Sequence, residues 1–405
     1  MRSGKSLLMT LLYDTRYRSI TFQVVLLLSI VFGFWWIIDN TVSNLASQNK
    51  SVGFNFFTQT AGFQIAPTLG TWLFDYKVGQ STYLDVFYIG IVNTFLVAFF
   101  GVLAATIVGF TLGIMRLSQN FVFRAFSTIY VEVARNIPLL VQLFFWYFAV
   151  LRSLPSRREK LELIEGVVGI NISGLYMPAA IPETGFNISV FAFIIAIVIT
   201  YFTNRWAKKR QRETGQIFPM FWVGVGILIL LPLVVFYGSG APLTWEMPIF
   251  KETGPILKRG YQSDVGIFII PEMLAVWFAL SIYTSAFIAE IVRAGIVAVD
   301  KGQSEASSAL GIKRSHALRL VIIPQAMRII IPPLTSQYLN LTKNSSLAVA
   351  IAYPELVSVF AGTALNQVGR EIEMIFMTMA VYLIFSILTA MFMNWFNAKV
   401  KLVER

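Results

Sequence analysis

The stretch GQSEASSALGIKRSHALRLVIIPQA, Gly302–Ala326, is polar, holds the only histidine of the chain (His316), and is bounded on both sides by strongly apolar sequence. The flanks identify the solvent. Of the 405 residues, 56% are hydrophobic and 13% charged, where soluble domains carry about a quarter charged residues. Several runs exceed the roughly 18–20 apolar residues that cross a bilayer core. Lipid offers no partner to backbone N–H and C=O groups, so such runs must be helices or strands of a closed barrel. These runs are too long and too continuously apolar for barrel strands, which alternate. The sequence therefore predicts an all-α polytopic membrane protein of about eight transmembrane helices, at 20–38, 86–115, 124–151, 187–203, 218–237, 267–290, 327–352 and 374–396.

Charge placement orients the spans. With both termini cytoplasmic, 20 Lys and Arg fall on the cytoplasmic side and 10 on the other, the sense of the positive-inside rule. This puts the opening stretch in the cytoplasm. One loop runs against the scheme: RSLPSRREK, Arg152–Lys160, is basic yet falls outside. The net charge of +11 punctuates span ends rather than forming a patch, which argues against a nucleic-acid partner. The absence of cysteine excludes disulfides, a thiol nucleophile and zinc–thiolate chemistry, and one histidine excludes a multi-His metal site. No catalytic, cofactor-binding or metal-ligating residue is assigned. Arg2, Lys5, Arg16 and Arg18 precede a long apolar run without a small-residue cleavage site, so the first run reads as a membrane helix rather than a signal peptide. Two outer loops, 39–85 and 238–266, are rich in Gly, Asn, Thr and Pro, and NRWAKKRQR, Asn204–Arg212, reads as a cytoplasmic linker.

Within the opening stretch the pattern predicts two short helices broken at Gly311. The first carries Glu305, Ala306, Ala309 and Leu310, good helix formers with a small-residue surface that a partner can approach closely. Gly311 can take the left-handed conformation that ends a helix. The second runs through Arg314, Leu318, Val321 and Ile322 to end before Pro324. A helix lying on the bilayer surface, with Lys313, Arg314 and Arg319 at the headgroups, is the plain alternative. Residue order separates the two. Glu305-Ala306-Ser307, then Gly311, then Val321-Ile322-Ile323-Pro324 resembles the EAA loop of membrane subunits of bacterial ABC importers, with Ser at the third position and Val and Ile near the end where Ile and Leu are usual. In that family the loop is the coupling helix that docks on a cytoplasmic ATPase.

Further segments extend the resemblance. EIVRAGIVAVDKGQSEA (Glu290–Ala306), YVEVARNIPLLVQLFF (Tyr130–Phe145) and LTKNSSLAVAIAYPEL (Leu341–Leu356) resemble permeases for polar amino acids, and the general L-amino acid permeases of the Aap/Bzt type most of all. The resemblance implies the type I importer (MetI-like) fold, a five-helix core plus extra helices. It divides the chain into a first span and outer loop (1–85), a first core part (86–151), an insertion with two extra spans (152–266), and a second core part (267–405) holding the coupling loop at 291–326. It further implies a bacterial inner-membrane location and four kinds of partner: a cytoplasmic ABC ATPase dimer, a second permease subunit (related but distinct, or identical), a periplasmic amino-acid-binding protein, and the L-amino acid solute. Gly302, Glu305, Ala306, Ser307, Gly311 and Pro324 are the coupling residues it points to. The chain supplies no nucleotide site: SGKS, Ser3–Ser6, ends like a P-loop but lacks the preceding glycine loop and strand. ATP and magnesium are therefore expected on the partner ATPase.

Polar residues inside the spans mark the remaining candidates. Ser336, Asn340 and Lys343 fall at helical spacing, flanked by Gln337 and Asn344, and form one stripe. The stripe reads as a wall of the translocation path; helix–helix hydrogen bonding, with Lys343 snorkelling, is the alternative. Pro332-Pro333 should bend the start of this span. Glu132 and Arg135, three apart, should neutralise each other. Gly109 and Gly113 form a GxxxG, suited to close helix packing within the chain or at a subunit interface. His316 lies in a cytoplasmic loop with no carboxylate at helical spacing and reads as solvated. The competing function is an ion-coupled secondary transporter or channel working without an ATPase. Against it stand the scarcity of membrane-embedded acids, the lack of a clear inverted repeat and a built cytoplasmic docking loop.

Overall fold

In a computed structural model the described residues are 15–47, 53–256 and 259–400. Arg2, Lys5 and the SGKS near-match at Ser3–Ser6 lie outside them. Helix α1, Thr15–Ser47, outruns the expected span 20–38 at both ends, and no residue of its apolar window is buried. The chain then folds into a small outer layer, Asn55–Thr58 and Leu69–Leu73, whose Phe56 and Phe57 lie against Phe360. Thr82 and Asp85 cap α2, Tyr83–Met115, reciprocally, each side chain accepting the other's backbone N–H.

Helix α3, Phe121–Asn136, and α4, Leu139–Phe144 with a wide-turn extension over Phe145–Val150, meet at 105°. The single span expected over 124–151 is therefore a broken one. Pro138 has no N–H to donate and drives Ile137 into extended backbone (φ −92°, ψ 125°). The carbonyls released at the break are not orphaned: the buried Gln142 amide donates to Ala134 O (2.8 Å) and Ile137 O (3.0 Å).

Within the helical fold the insertion also carries short strands. Strands β1 (Glu162–Ile164), β2 (Val168–Asn171), β3 (Gly174–Met177) and β4 (Ala179–Pro182) precede α5, Phe186–Thr214, and α6, Met220–Gly238. Strands β5 (Leu243–Glu246), β6 (Phe250–Lys251), β7 (Gly260–Tyr261) and β8 (Ile267–Ile269) follow them. The order β1-β2-β3-β8 closes a four-stranded antiparallel sheet through the pair Leu175↔Ile269, and β4 pairs with β5. Elements of two to four residues are too short for alternation to register in sequence. The segment Asn204–Arg212, read as a linker, is a continuation of α5.

Helix α7, Pro271–Val297, begins directly after β8 with proline in its first turn, where a missing N–H costs nothing. The chain continues through α8 (Lys301–Ala309), a turn at Gly311, and α9 (Arg314–Ala317). A wide turn over Leu318–Ile322 then leads without interruption into α10, Ile323–Asn344. The second short helix thus does not stop before Pro324; Arg314–Ile351 is one helical stretch. The wide turn lies immediately before Pro324, where a ring that lacks an N–H would otherwise crowd the preceding turn. Pro332 and Pro333 sit inside α10, and the helix runs through them. A connection containing Glu355 leads to α11, Glu371–Val400.

The core lies where α2, α7, α10 and α11 pack. The GxxxG is used here: a Cβ on Gly109 would come within 2.6 Å of Ile288, and one on Gly113 within 2.7 Å of the Ala289 carbonyl. These glycines let α2 touch the backbone of α7, so the motif closes a contact within the chain. Among the described residues seven helices are long and apolar enough to cross a membrane, or eight with the bent pair counted as one span.

Candidate functional site

Asp300 caps α8 by accepting Gly302 N–H (2.8 Å). Gly302, Glu305 and Ala306 are exposed on this helix, while Ser307 is buried. The Ser307 hydroxyl donates to Gln303 O (2.7 Å), and the Gln325 amide donates to the Gln303 side chain (3.2 Å), tying α8 to the first turn of α10. Gly311 has φ +70°. No atom lies within 4 Å of where its Cβ would stand, so the backbone and not space selects glycine there. Leu310 beside it is 77% exposed and Leu320 66%. Apolar side chains held out on a polar segment mark a surface to be covered. Pro324 is half-buried within the continuous helix, on α10 and not on α8. His316 is exposed.

Ahead of this segment in the chain, toward the end of α7, lies a charge cluster of which the sequence singled out only Glu132. Arg116, at the end of α2, pairs with Glu290 of α7 and reaches Glu132 of α3 at 3.7 Å. Arg293 pairs with Glu290 at 2.5 Å. Arg135 instead lies over the Phe287 ring, 5.2 Å from its centroid. The expected Glu132–Arg135 neutralisation is thus replaced by a link between helices. The i, i+3 spacing of Glu290 and Arg293 was the available signal.

The polar residues of α10 are split by burial. Ile330, Ile331, Leu334 and Leu341 face the core. Ser336, Asn340 and Lys343 are exposed together with Pro332 and Pro333, and Gln337 and Asn344 are half-buried at the margin. A spanning helix with an amide, a hydroxyl and an ammonium on its open face is unsuited to hydrocarbon. That face demands a wet or polar neighbour.

At the opposite end, Glu355 is fully buried. Its carboxylate accepts Val357 N–H (2.8 Å), Ser358 N–H (2.7 Å) and the Tyr382 hydroxyl (3.0 Å). Burial outweighs these bonds and pushes its pKa up to about 7. The loop is pinned to α2: Asn93 donates to Pro354 O (2.7 Å) and Thr94 accepts Leu356 N–H (3.1 Å). Nothing in the sequence singled out this carboxylate, which the tertiary fold alone encloses.

The family described as binding-protein-dependent transport system inner membrane component matches residues 193–402, just over half of the chain. The General L-amino acid transport system permease protein AapQ of Rhizobium johnstonii is 49% identical over 397 residues, 97% of this chain and 95% of that protein. The Putative amino-acid ABC transporter permease protein YhdX of Escherichia coli is 45% identical over 96% of this chain and 95% of its own. The Glutamate/glutamine/aspartate/asparagine transport system permease protein BztB of Rhodobacter capsulatus is 36% identical over 98% and 96%.

Proposed function

The chain belongs to the family of binding-protein-dependent transport system inner membrane components, and from that premise we infer that it is the permease subunit of an ATP-binding cassette importer for L-amino acids. The observation that carries this reading is end-to-end identity of 49% with a general L-amino acid permease. The geometry supports a division of labour. The exposed face of α8, with Gly302, Glu305, Ala306 and the outlying Leu310, docks on a cytoplasmic ATPase dimer, which holds the ATP and magnesium. Gly311 sets the angle at which that face is presented. Because α9 continues into α10 without a break, a push on the docking segment reaches the polar face of Ser336, Asn340 and Lys343 along one continuous element. That face borders the solute path, against a second permease subunit, related but distinct. A periplasmic amino-acid-binding protein delivers solute at the outer end, and both termini lie in the cytoplasm. The chain itself makes and breaks no bonds.

The test is charge reversal on the docking face, in the complex purified with its native partners. Glu305→Lys should reduce solute-stimulated ATP hydrolysis and uptake several-fold while membrane insertion is unchanged. Normal stimulated hydrolysis in that variant would remove α8 from the docking role.

A further inference from the structure

The hairpin of α5 and α6 ends in a feature outside the docking segment and solute path proposed above. The two helices pack on each other through small residues, Ser189, Ala192 and Ala196 on α5 and Gly224 on α6. Their large apolar side chains, among them Phe191, Phe202, Trp222 and Leu230, are exposed, so lipid surrounds the hairpin. α5 starts beside the strands that lead into α7 and runs the same way as α7, so its end lies on the side of the membrane that holds α8. There it outruns its partner. Phe218 meets Trp206 edge-on (5.4 Å) and Gly224 lies against Thr200, so α6 begins near the level of residue 204. The ten residues from Arg205 to Thr214 project about 15 Å further. Gly215 in left-handed backbone (φ +75°) then turns the chain back.

This projection carries Arg205, Lys208, Lys209, Arg210 and Arg212 against one acid, Glu213. Arg205, Lys208, Lys209 and Arg212 recur at helical spacing and are exposed, Arg205 lying over the Tyr201 ring (5.2 Å). Lys208 and Arg212 make no ion pair among the described residues; Lys209 reaches Glu213 at 3.8 Å, and both are exposed. Arg210 is spent locally, over the Trp206 ring (5.4 Å) and donating to Gln216 (2.8 Å), which stiffens the turn. The cations begin one turn beyond the lipid-facing Phe202, and the headgroup layer is about 5–8 Å thick on each side. Long Lys and Arg stems reach back into it.

We propose that the Arg205–Arg212 face of α5 is a binding site for anionic phospholipid headgroups, which fixes the lipid-surrounded hairpin at the cytoplasmic surface. A juxtamembrane basic cluster is attracted to an anionic membrane surface, and the attraction falls off within a Debye length. The proposal rests on the orientation inferred above, and the chain's lack of cysteine allows the two to be tested apart.

The experiment uses the purified full chain and measures phospholipid binding by native mass spectrometry, with phosphatidylglycerol and phosphatidylcholine as probes. Phosphatidylglycerol should bind more than about tenfold more tightly, and high salt should abolish the difference. The triple variant Lys208→Gln, Lys209→Gln, Arg212→Gln should lose that preference. The charge-keeping pair Lys208→Arg, Lys209→Arg should retain it, as should Arg157→Gln with Arg158→Gln on the other side of the membrane. An equal preference in wild type and triple variant overturns the site, as does a wild-type preference indifferent to salt; the salt result stands even where the triple variant fails to insert. Displacement of the lipid by millimolar inorganic phosphate would point to a free-anion site and also overturn it. Loss of ATPase association in the triple variant with lipid preference intact would assign the face to a protein partner instead. Gln211→Cys, labelled by an impermeant maleimide in sealed vesicles, reports orientation alone: labelling from the outer side defeats the topology and leaves the lipid result standing.

Discussion

Arg116 at the end of α2 and Glu290 on α7 form an ion pair whose carboxylate sits ten residues ahead of Asp300, the cap of α8. Arg116 is only 12% exposed and Glu290 28%, whereas Glu132, the second carboxylate that Arg116 reaches, is 57% exposed. Removing one partner of a sheltered pair leaves the other charge poorly solvated, while an exposed pair contributes little. Glu290→Gln should therefore lower stability by about 1–3 kcal/mol and Glu132→Gln by much less. Thermal unfolding of the two variants in detergent measures the contrast. Equal losses would show that Arg116 is not held mainly by Glu290.

The turn at Gly311 is set by backbone and not by crowding. Gly311→Val places a β-branched residue at φ +70° and should cost about 1–2 kcal/mol locally, uncoupling ATP hydrolysis from uptake. Gly311→Asn should be milder, since asparagine enters left-handed backbone more readily. Coupling that is equally intact in both would show that the turn angle is not needed.

Lys343 stands on the open polar face of α10. Lys343→Met should slow uptake at least several-fold while assembly of the complex is preserved, read by size-exclusion chromatography beside vesicle uptake. Unchanged uptake rate and solute affinity would remove this ammonium from the path.

Glu355 gives the chain a specific pH dependence. Its pKa in the fold is raised to about 7 from 4.5. A carboxyl raised by burial favours the fold while protonated. That contribution is fully present below about pH 4.5 and is lost as pH rises through about 7. The melting temperature of the wild type should fall across this window relative to Glu355→Gln, whose side chain does not titrate. Parallel pH profiles for the two proteins would place the sensitivity elsewhere.

The local geometry of the candidate docking segment was legible because it is set at short range. Glu305, Ala306, Ser307 and Gly311 form their unit within seven residues, and helix capping, propensity and one left-handed glycine act at that range. Ser336, Asn340 and Lys343 were recognisable as a stripe because helical spacing alone puts them together. What their helix turned them toward was not recognisable, since that depends on which face α2 and α7 cover. The pairing of Glu132 failed for the same reason: Arg135 is the nearer cation in sequence, but Arg116 arrives from another helix.

The sequence alone determined the number of spans, the polar segment between α7 and α10, and the glycines that would permit close packing, because hydropathy and short-range backbone preference are written residue by residue. Only the tertiary structure decided that Gly109 and Gly113 meet α7 within the same chain and that β3 pairs with β8 across some ninety residues. It also decided that Glu355 is enclosed and that the helix through Pro324 is unbroken. Each of these depends on groups distant in sequence arriving at one place, where packing and desolvation, rather than local propensity, set the outcome.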